Sequence, residues 1–232
     1  MRLHTAAFLS LSSLAPLPLA GCSDGSTFAD NLTSSGPASM LREGRNVRNP
    51  VPLSSAVLSK RLLDESDLGP GYVRKPEPLK RHDDVTVNGC PALEKLGGNA
   101  AVGGSLAFPR KAKASFFYAG SSDSEVSEEL YSNTETELSD DVGRIFEAMT
   151  SCPTYQVLVG STPVTVTTQK APAPRLGDER WSQLLTFTVG RRGSVVKQTV
   201  VRTGTVVVVV SVSPGLVDAH VATAVDKAHR AG

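Results

Sequence analysis

Few side chains in this 232-residue chain have the types and spacing that bond making requires. His82-Asp83-Asp84 places one imidazole beside two carboxylates, donors that suit zinc or a similar ion. Adjacent residues of an extended segment point to opposite faces, so the three converge only if the chain turns there. A solvated turn is the expectation, and no metal site is assigned. A serine nucleophile needs a positioned base, and beyond residue 21 the imidazoles are His82, His220 and His229. His220 lies beside an apolar stripe and His229 near a chain end, so both are expected at the surface or its boundary. No G-x-S-x-G elbow, H-E-x-x-H pair or EF-hand loop occurs. Gly98 to Gly103 has the glycine spacing of a phosphate loop, but Gly104-Ser105 follows where that loop requires a lysine. Leu96 to Ser105 therefore reads as a flexible glycine-rich loop. Trp181 follows Asp178-Glu179-Arg180; an indole beside a guanidinium can line a groove, although core packing at a strand end is the expectation. Arg191-Arg192 reads as a solubilising hairpin tip. No catalytic residue and no cofactor is assigned.

The cysteines say more. Ala6 to Ala20 is apolar, long enough for the core of a signal peptide and too short to span a bilayer. It closes on Leu19-Ala20-Gly21-Cys22, which resembles the lipobox of bacterial lipoproteins. In that pattern the cysteine is diacylated and becomes the first residue of the mature chain. The resemblance makes residues 1–21 a lipoprotein signal peptide and Cys22 the lipidation site. Residues 22–53 then form a tether rich in Ser, Gly, Asn and Pro, and residues 54–232 the folded domain. Cys90 and Cys152 are left as a pair in an oxidising compartment, where a disulfide is the simplest outcome. A metal pair or redox couple is the rival, and neither shows C-x-x-C spacing.

A formal net charge of +1 lacks the basic balance of a nucleic-acid footprint. Ser121 to Met149 carries nine acidic residues against Arg144 alone, which predicts one acidic face.

Positioning falls to a series of short elements. Ser54-Ser55 can cap a helix through Leu63. Asp67-Leu68-Gly69-Pro70-Gly71 is turn chemistry, and prolines keep Tyr72 to Pro76 from being a central strand. Pro91 to Leu96 suits one helical turn. Strands are predicted at Ala112–Ala119, Glu125–Tyr131, Tyr155–Val159, Val164–Gln169, Trp181–Val189, Val195–Arg202 and Thr205–Val212. Val206 to Val210 reads as a strand buried on both faces. Leu138, Val142, Ile145, Phe146 and Met149 recur at helical steps, with Ser139 as the expected cap and Asp140 and Asp141 in the first turn. A final helix from Leu216 to Arg230 carries Val217, Val221, Ala224, Val225 and Ala228 on one stripe. The expected fold is α+β: an antiparallel sheet of about five to seven strands with helices packed on one face.

The lipobox, the polar tether, the segment Arg61-Leu62-Leu63-Asp64-Glu65-Ser66-Asp67-Leu68-Gly69-Pro70-Gly71-Tyr72, the early Cys90-Pro91, a helix ending in Cys152-Pro153 and a valine-rich strand before a C-terminal helix together resemble a known group. It is that of actinobacterial sensor-domain lipoproteins, similar to the PknH-like extracellular sensor domain family. The resemblance covers residues 54–232. It implies an antiparallel α+β fold with a central cleft for an unidentified ligand and supports a Cys90–Cys152 bridge. Members often carry two disulfides, whereas this chain can form one. The expected function is a lipid-anchored, extracytoplasmic, non-catalytic ligand-binding or sensor lipoprotein. Its partners would be the membrane, through Cys22, and a small-molecule or envelope ligand, with no nucleic acid. The alternative is a structural or protein-interaction envelope lipoprotein; a hydrolytic role would need His82 or His220 beside a nucleophile.

Overall fold

The computed structural model describes residues 50–76, 85–97, 108–120 and 125–230. The elements are α1 (Ser55–Arg61), α2 (Glu65–Leu68), β1 (Tyr72–Arg74), β2 (Val85–Asn88), α3 (Pro91–Glu94), β3 (Lys111–Tyr118), β4 (Glu125–Ser132), α4 (Glu135–Ser151), β5 (Thr154–Val159), β6 (Thr162–Lys170), β7 (Glu179–Val189), β8 (Arg192–Thr203), β9 (Val206–Val212) and α5 (Pro214–His229). All nine strands form one antiparallel sheet in the order β1-β3-β4-β9-β8-β7-β6-β5-β2.

The fold is α+β as the sequence implies, with two corrections. The expected five to seven strands become nine, because the short edges β1 and β2 complete the sheet. At three and four residues they are too short to show a period. Helices also cover both faces, not one. Val206, Val208, Val210 and Val212 point into a core under α1, α2 and α5, with Leu58, Leu63, Phe116, Leu130, Val217 and Val221. Val207 and Val209 point the other way, into a core with Leu138, Val142, Tyr131 and Val200 beneath α4. The valine run is thus buried on both faces, as its composition requires, and a two-faced strand needs a layer on each side.

Hairpin chemistry is local. The β5–β6, β7–β8 and β8–β9 links each turn on two residues beginning with Gly160, Gly190 and Gly204, at φ of 60°, 59° and 53°. These left-handed values suit glycine and the twist of tight hairpins. The cap of α4 is Thr134, not Ser139: the Thr134 hydroxyl accepts the Glu137 N–H at 3.3 Å. Ser139 sits one turn inside the helix and donates its hydroxyl to Glu179 at 2.9 Å. Asp140 and Asp141 consequently lie beyond the first turn, whose acidic residues are Glu135 and Glu137. The acidic stretch forms no single face. Neighbouring Glu128 and Glu129 in β4 are buried and point to opposite sides of the sheet.

A third core lies beneath the C-terminal half of α4, built from Met149, Tyr155, Val157, Val166 and Leu185 together with α3. There Cys90 and Cys152 are bridged, their Cα atoms 5.8 Å apart. The bridge ties α3 to the end of α4 across a sequence separation of 62. Cys90→Ala/Cys152→Ala is expected to lose about 4 kcal/mol on the chain-entropy estimate. Urea unfolding of the oxidised wild type against the double variant measures it, and a difference under about 1 kcal/mol would show that the bridge does not limit the unfolded chain.

Candidate functional site

On the α4 face, one row of side chains runs across the sheet and is polar from strand to strand. Register places Ser115 of β3 beside Ser127 of β4, Ser127 beside Ser211 of β9, Ser211 beside Gln198 of β8, and Gln198 beside Gln183 of β7. Lys170 of β6 continues it. Pairing between adjacent strands sets the pitch of such a row at about 4.8 Å per step.

From Gln183 to Ser211 the row is internally bonded. Gln183 Nε2 donates to Gln198 Oε1 at 2.9 Å, and Gln198 Nε2 donates to Ser211 Oγ at 3.3 Å. Met149 of α4 covers the inner end, where its Sδ accepts from Gln183 Nε2 at 3.3 Å. Gln183 is wholly buried and its Oε1 has no hydrogen-bond partner among the described residues. A buried carbonyl left unpaired is costly, so the row's inner end holds unused accepting capacity. Gln198 is only 7% exposed, whereas Ser115, Ser127 and Ser211 are half-buried and open toward β3. Among the described residues, the main contacts of α4 with the sheet fall on β6, β7 and β9.

Charges flank the row in pairs. Lys113 Nζ meets Glu129 Oε1 at 2.5 Å, and the Tyr131 hydroxyl donates to the other Glu129 oxygen. On the opposite flank Lys75 Nζ meets Glu125 at 2.8 Å. Phe117, 39% exposed, stands two residues from Ser115 on the same face and opposite Val73, 41% exposed.

The residues singled out by type fall elsewhere. Cys22, His82-Asp83-Asp84 and Gly98 to Ser105 lie outside the described residues. His220 is not at the surface: it is 9% exposed on the sheet-facing side of α5, its ring edge-on to Tyr72 at 5.7 Å. Burial lowers its pKa, favouring the neutral imidazole. His229 closes α5, its Nδ1 2.6 Å from the Val225 carbonyl. Trp181 packs on the α4-side core, while Arg180 points to the other face. The guanidinium that does matter nearby is Arg202. It holds Glu179 at 3.0 Å and the Gly204 carbonyl at 3.1 Å, lowering the Glu179 pKa and fastening the β8–β9 turn to β7. Among the described residues, no group of three or more His, Cys, Asp or Glu side chains is placed to hold a metal ion. Among them, no helix is long and apolar enough to cross a membrane.

No protein-family model matches the chain, and no curated protein matches it in sequence. Solved structures do match in shape. The extracellular domain of PknH from Mycobacterium tuberculosis superposes with a TM-score of 0.57 at 16% identity, covering 76% of this chain and 97% of that one. This chain has the fold of the PknH extracellular domain. A putative uncharacterized protein from Mycobacterium smegmatis, described as an Rv0999 ortholog, aligns over 76% of this chain and 97% of its own at 12% identity and a TM-score of 0.42. The overlap with PknH spans almost all of that domain.

One strongly perturbed carboxyl lies away from the row. Glu128 is wholly buried on the α5 face, accepts the Leu63 N–H at 2.5 Å, and has its second oxygen unpaired among the described residues. Burial pushes its pKa from 4.5 up to about 8, against the Leu63 hydrogen bond and the fields of Lys227 and Arg74, with Asp67 adding to the rise. Its chemistry is structural: it braces the α1–α2 joint. Because the folded pKa is raised, the neutral form's contribution is full below pH 4.5 and is lost as pH climbs toward about 8. Glu128→Gln is therefore expected to be closest to wild type near pH 4.5 and more stable than it at pH 8.5. Desolvation sets an upper bound on the change of about 5 kcal/mol. Urea titrations at the two pH values test this; a pH-independent difference would mean that Glu128 is ionised when folded.

Proposed function

We propose that this chain is a lipid-anchored, extracytoplasmic domain that senses by binding a ligand and performs no catalysis. The observation that carries the reading is the polar row. A buried, bonded line of amides and hydroxyls crosses an otherwise valine-rich sheet, opens at one end, and keeps an unused acceptor at the other. Packing alone gives no reason for it, since apolar side chains at those positions would leave nothing unsatisfied. The scaffold favours the same reading, because its fold is that of a domain described as extracellular. The lipobox supplies the anchor through Cys22, and the Cys90–Cys152 bridge suits an oxidising compartment. Against catalysis stands the setting of His220, which faces an aromatic ring in a core instead of a nucleophile.

A second reading, a protein-interaction lipoprotein, draws on the exposed Val73, Phe117 and Tyr118 at the β1–β3 edge. An apolar edge of that kind suits a protein contact.

Two measurements decide. Cys22→Ala expressed in a lipoprotein-processing host is expected in the soluble fraction, with wild type in the membrane pellet; a variant that still sediments would overturn the anchor. Thermal scans of the full chain against oligosaccharides, phospholipid vesicles, short peptides and divalent metals are expected to show one saturable rise, since a ligand that binds only the native state stabilises it. A flat panel from folded protein, joined by a co-purifying partner, would favour the interaction reading.

A further inference from the structure

We infer that the open part of the polar row binds an uncharged, hydroxyl-rich chain, a neutral oligosaccharide, laid across strands β3, β4, β9 and β8. This rests on the sensor reading and names its ligand class. Charge balance excludes other classes first. Within the row from Ser115 to Gln198 no side chain is ionisable. The carboxylates on its flanks, Glu125 and Glu129, are each engaged by a lysine. An anionic ligand would meet two carboxylates and no free cation among those flanking groups, Lys170 lying two strands beyond β8 at the covered end, and a cationic one would have to displace Lys75 or Lys113. A ligand with no net charge meets neither penalty.

The hydrogen-bonding groups then select hydroxyls. Serine hydroxyls and a carboxamide each donate and accept, as sugar hydroxyls do, so their partners need no fixed polarity. The row itself is polarised: protons are given from Gln183 to Gln198 to Ser211. That direction uses one Ser211 lone pair and leaves its O–H to donate outward toward Ser127 and the ligand. The accepting capacity at Gln183 Oε1 lies at the closed end beneath Met149, one strand beyond the ligand, where a buried water can satisfy it.

Geometry agrees. Steps of about 4.8 Å between strands are comparable to one pyranose ring, so successive sugars can each face one strand. Phe117, exposed beside Ser115, presents a ring to the apolar face of a sugar at the open end. Aromatic faces hold such partly apolar, partly polar groups well.

The test uses the full chain and calorimetric titration with neutral glucose, mannose and galactose tetrasaccharides. A glucuronate oligomer, a glucosamine oligomer and anionic phospholipid vesicles serve as charged comparators. At least one neutral tetrasaccharide is expected to bind saturably, and the charged oligomers at least tenfold more weakly. Ser127→Val/Ser211→Val is expected to weaken that binding at least tenfold while melting unliganded within a few degrees of wild type. Ser127→Ala/Ser211→Ala gives the same readout should the valine pair fold poorly. Tighter binding of a charged oligomer, lost in the serine variants, overturns the ligand class and leaves the site standing. Saccharide binding that is unchanged in both variants overturns the placement. No saccharide binding alongside a vesicle or peptide shift overturns the class alone, whereas a folded chain that answers no probe overturns the sensor reading with it.

Discussion

The constraint on which the rest depends is the burial of β9 on both faces. Five consecutive valines, Val206 to Val210, give a strand with no side that tolerates water. Each face must therefore be closed by a separate layer, and each layer must be brought back from a distant part of the chain. α1, α2 and α5 close one side, and α4 with α3 closes the other. The two layers are offset along the sheet. α5 contacts β8 and β9 while α1 contacts β3 and β4; α4 reaches toward β6 and β7. Among the described residues this offset leaves part of each sheet face with few helix contacts, and the half-buried serines of the polar row lie in one such part.

The row is a local exception to the rule that organises the core. Along β7 the inward positions read Trp181, Gln183, Leu185; along β8 they read Val196, Gln198, Val200; along β9, Val207, Val209, Ser211. In each strand one polar residue occupies a place where the period calls for an apolar one. Register then aligns the exceptions side by side. A single buried glutamine is easily a satisfied core residue, but a bonded line of them across adjacent strands departs from local consistency in one direction, and such departures concentrate where a protein acts. The disulfide and Thr168 hold the covering helix in place over the inner end: the Thr168 hydroxyl donates to the Met149 carbonyl at 2.9 Å and lies 3.1 Å from that of Cys152.

Much of the fold was legible in the sequence because it is written in local terms. Seven of the strands, both long helices and the two-residue glycine hairpins follow from periods and turn chemistry within a few residues. The edges β1 and β2 were not, since three or four residues define no period and their pairing with β3 and β5 is set by distant chain. The double coverage was in fact implied by the valine run, whose reading as a strand buried on both faces conflicts with helices on one. Thr134 was obscured as a cap because Asp140-Asp141 also looks like a first turn, although Thr134 followed three residues later by Glu137 is the stronger signature. The polar row could be glimpsed only as misplaced Gln183, Gln198 and Ser211. Its alignment depends on inter-strand register, which no single segment contains.

The joint between the first and last described helices sets how the domain bears load. Leu53 is held by its N–H to Ser132 of β4 at 2.8 Å, Arg61 reaches the Ala228 carbonyl at 2.7 Å, and Lys227 grips Asp64 at 2.6 Å and also Asp67. Tension applied from the N-terminal side of residue 53 therefore enters the sheet through β4 and passes to α5 by way of α1 and α2. It reaches the last helix sideways, as shear across several bonds at once, instead of peeling one element after another. The α4 layer, tied by its own covalent bridge on the opposite face, joins that path only through the short link from Ser132 to Glu135. The covered, glutamine end of the row is thereby set apart mechanically from the elements that take the strain.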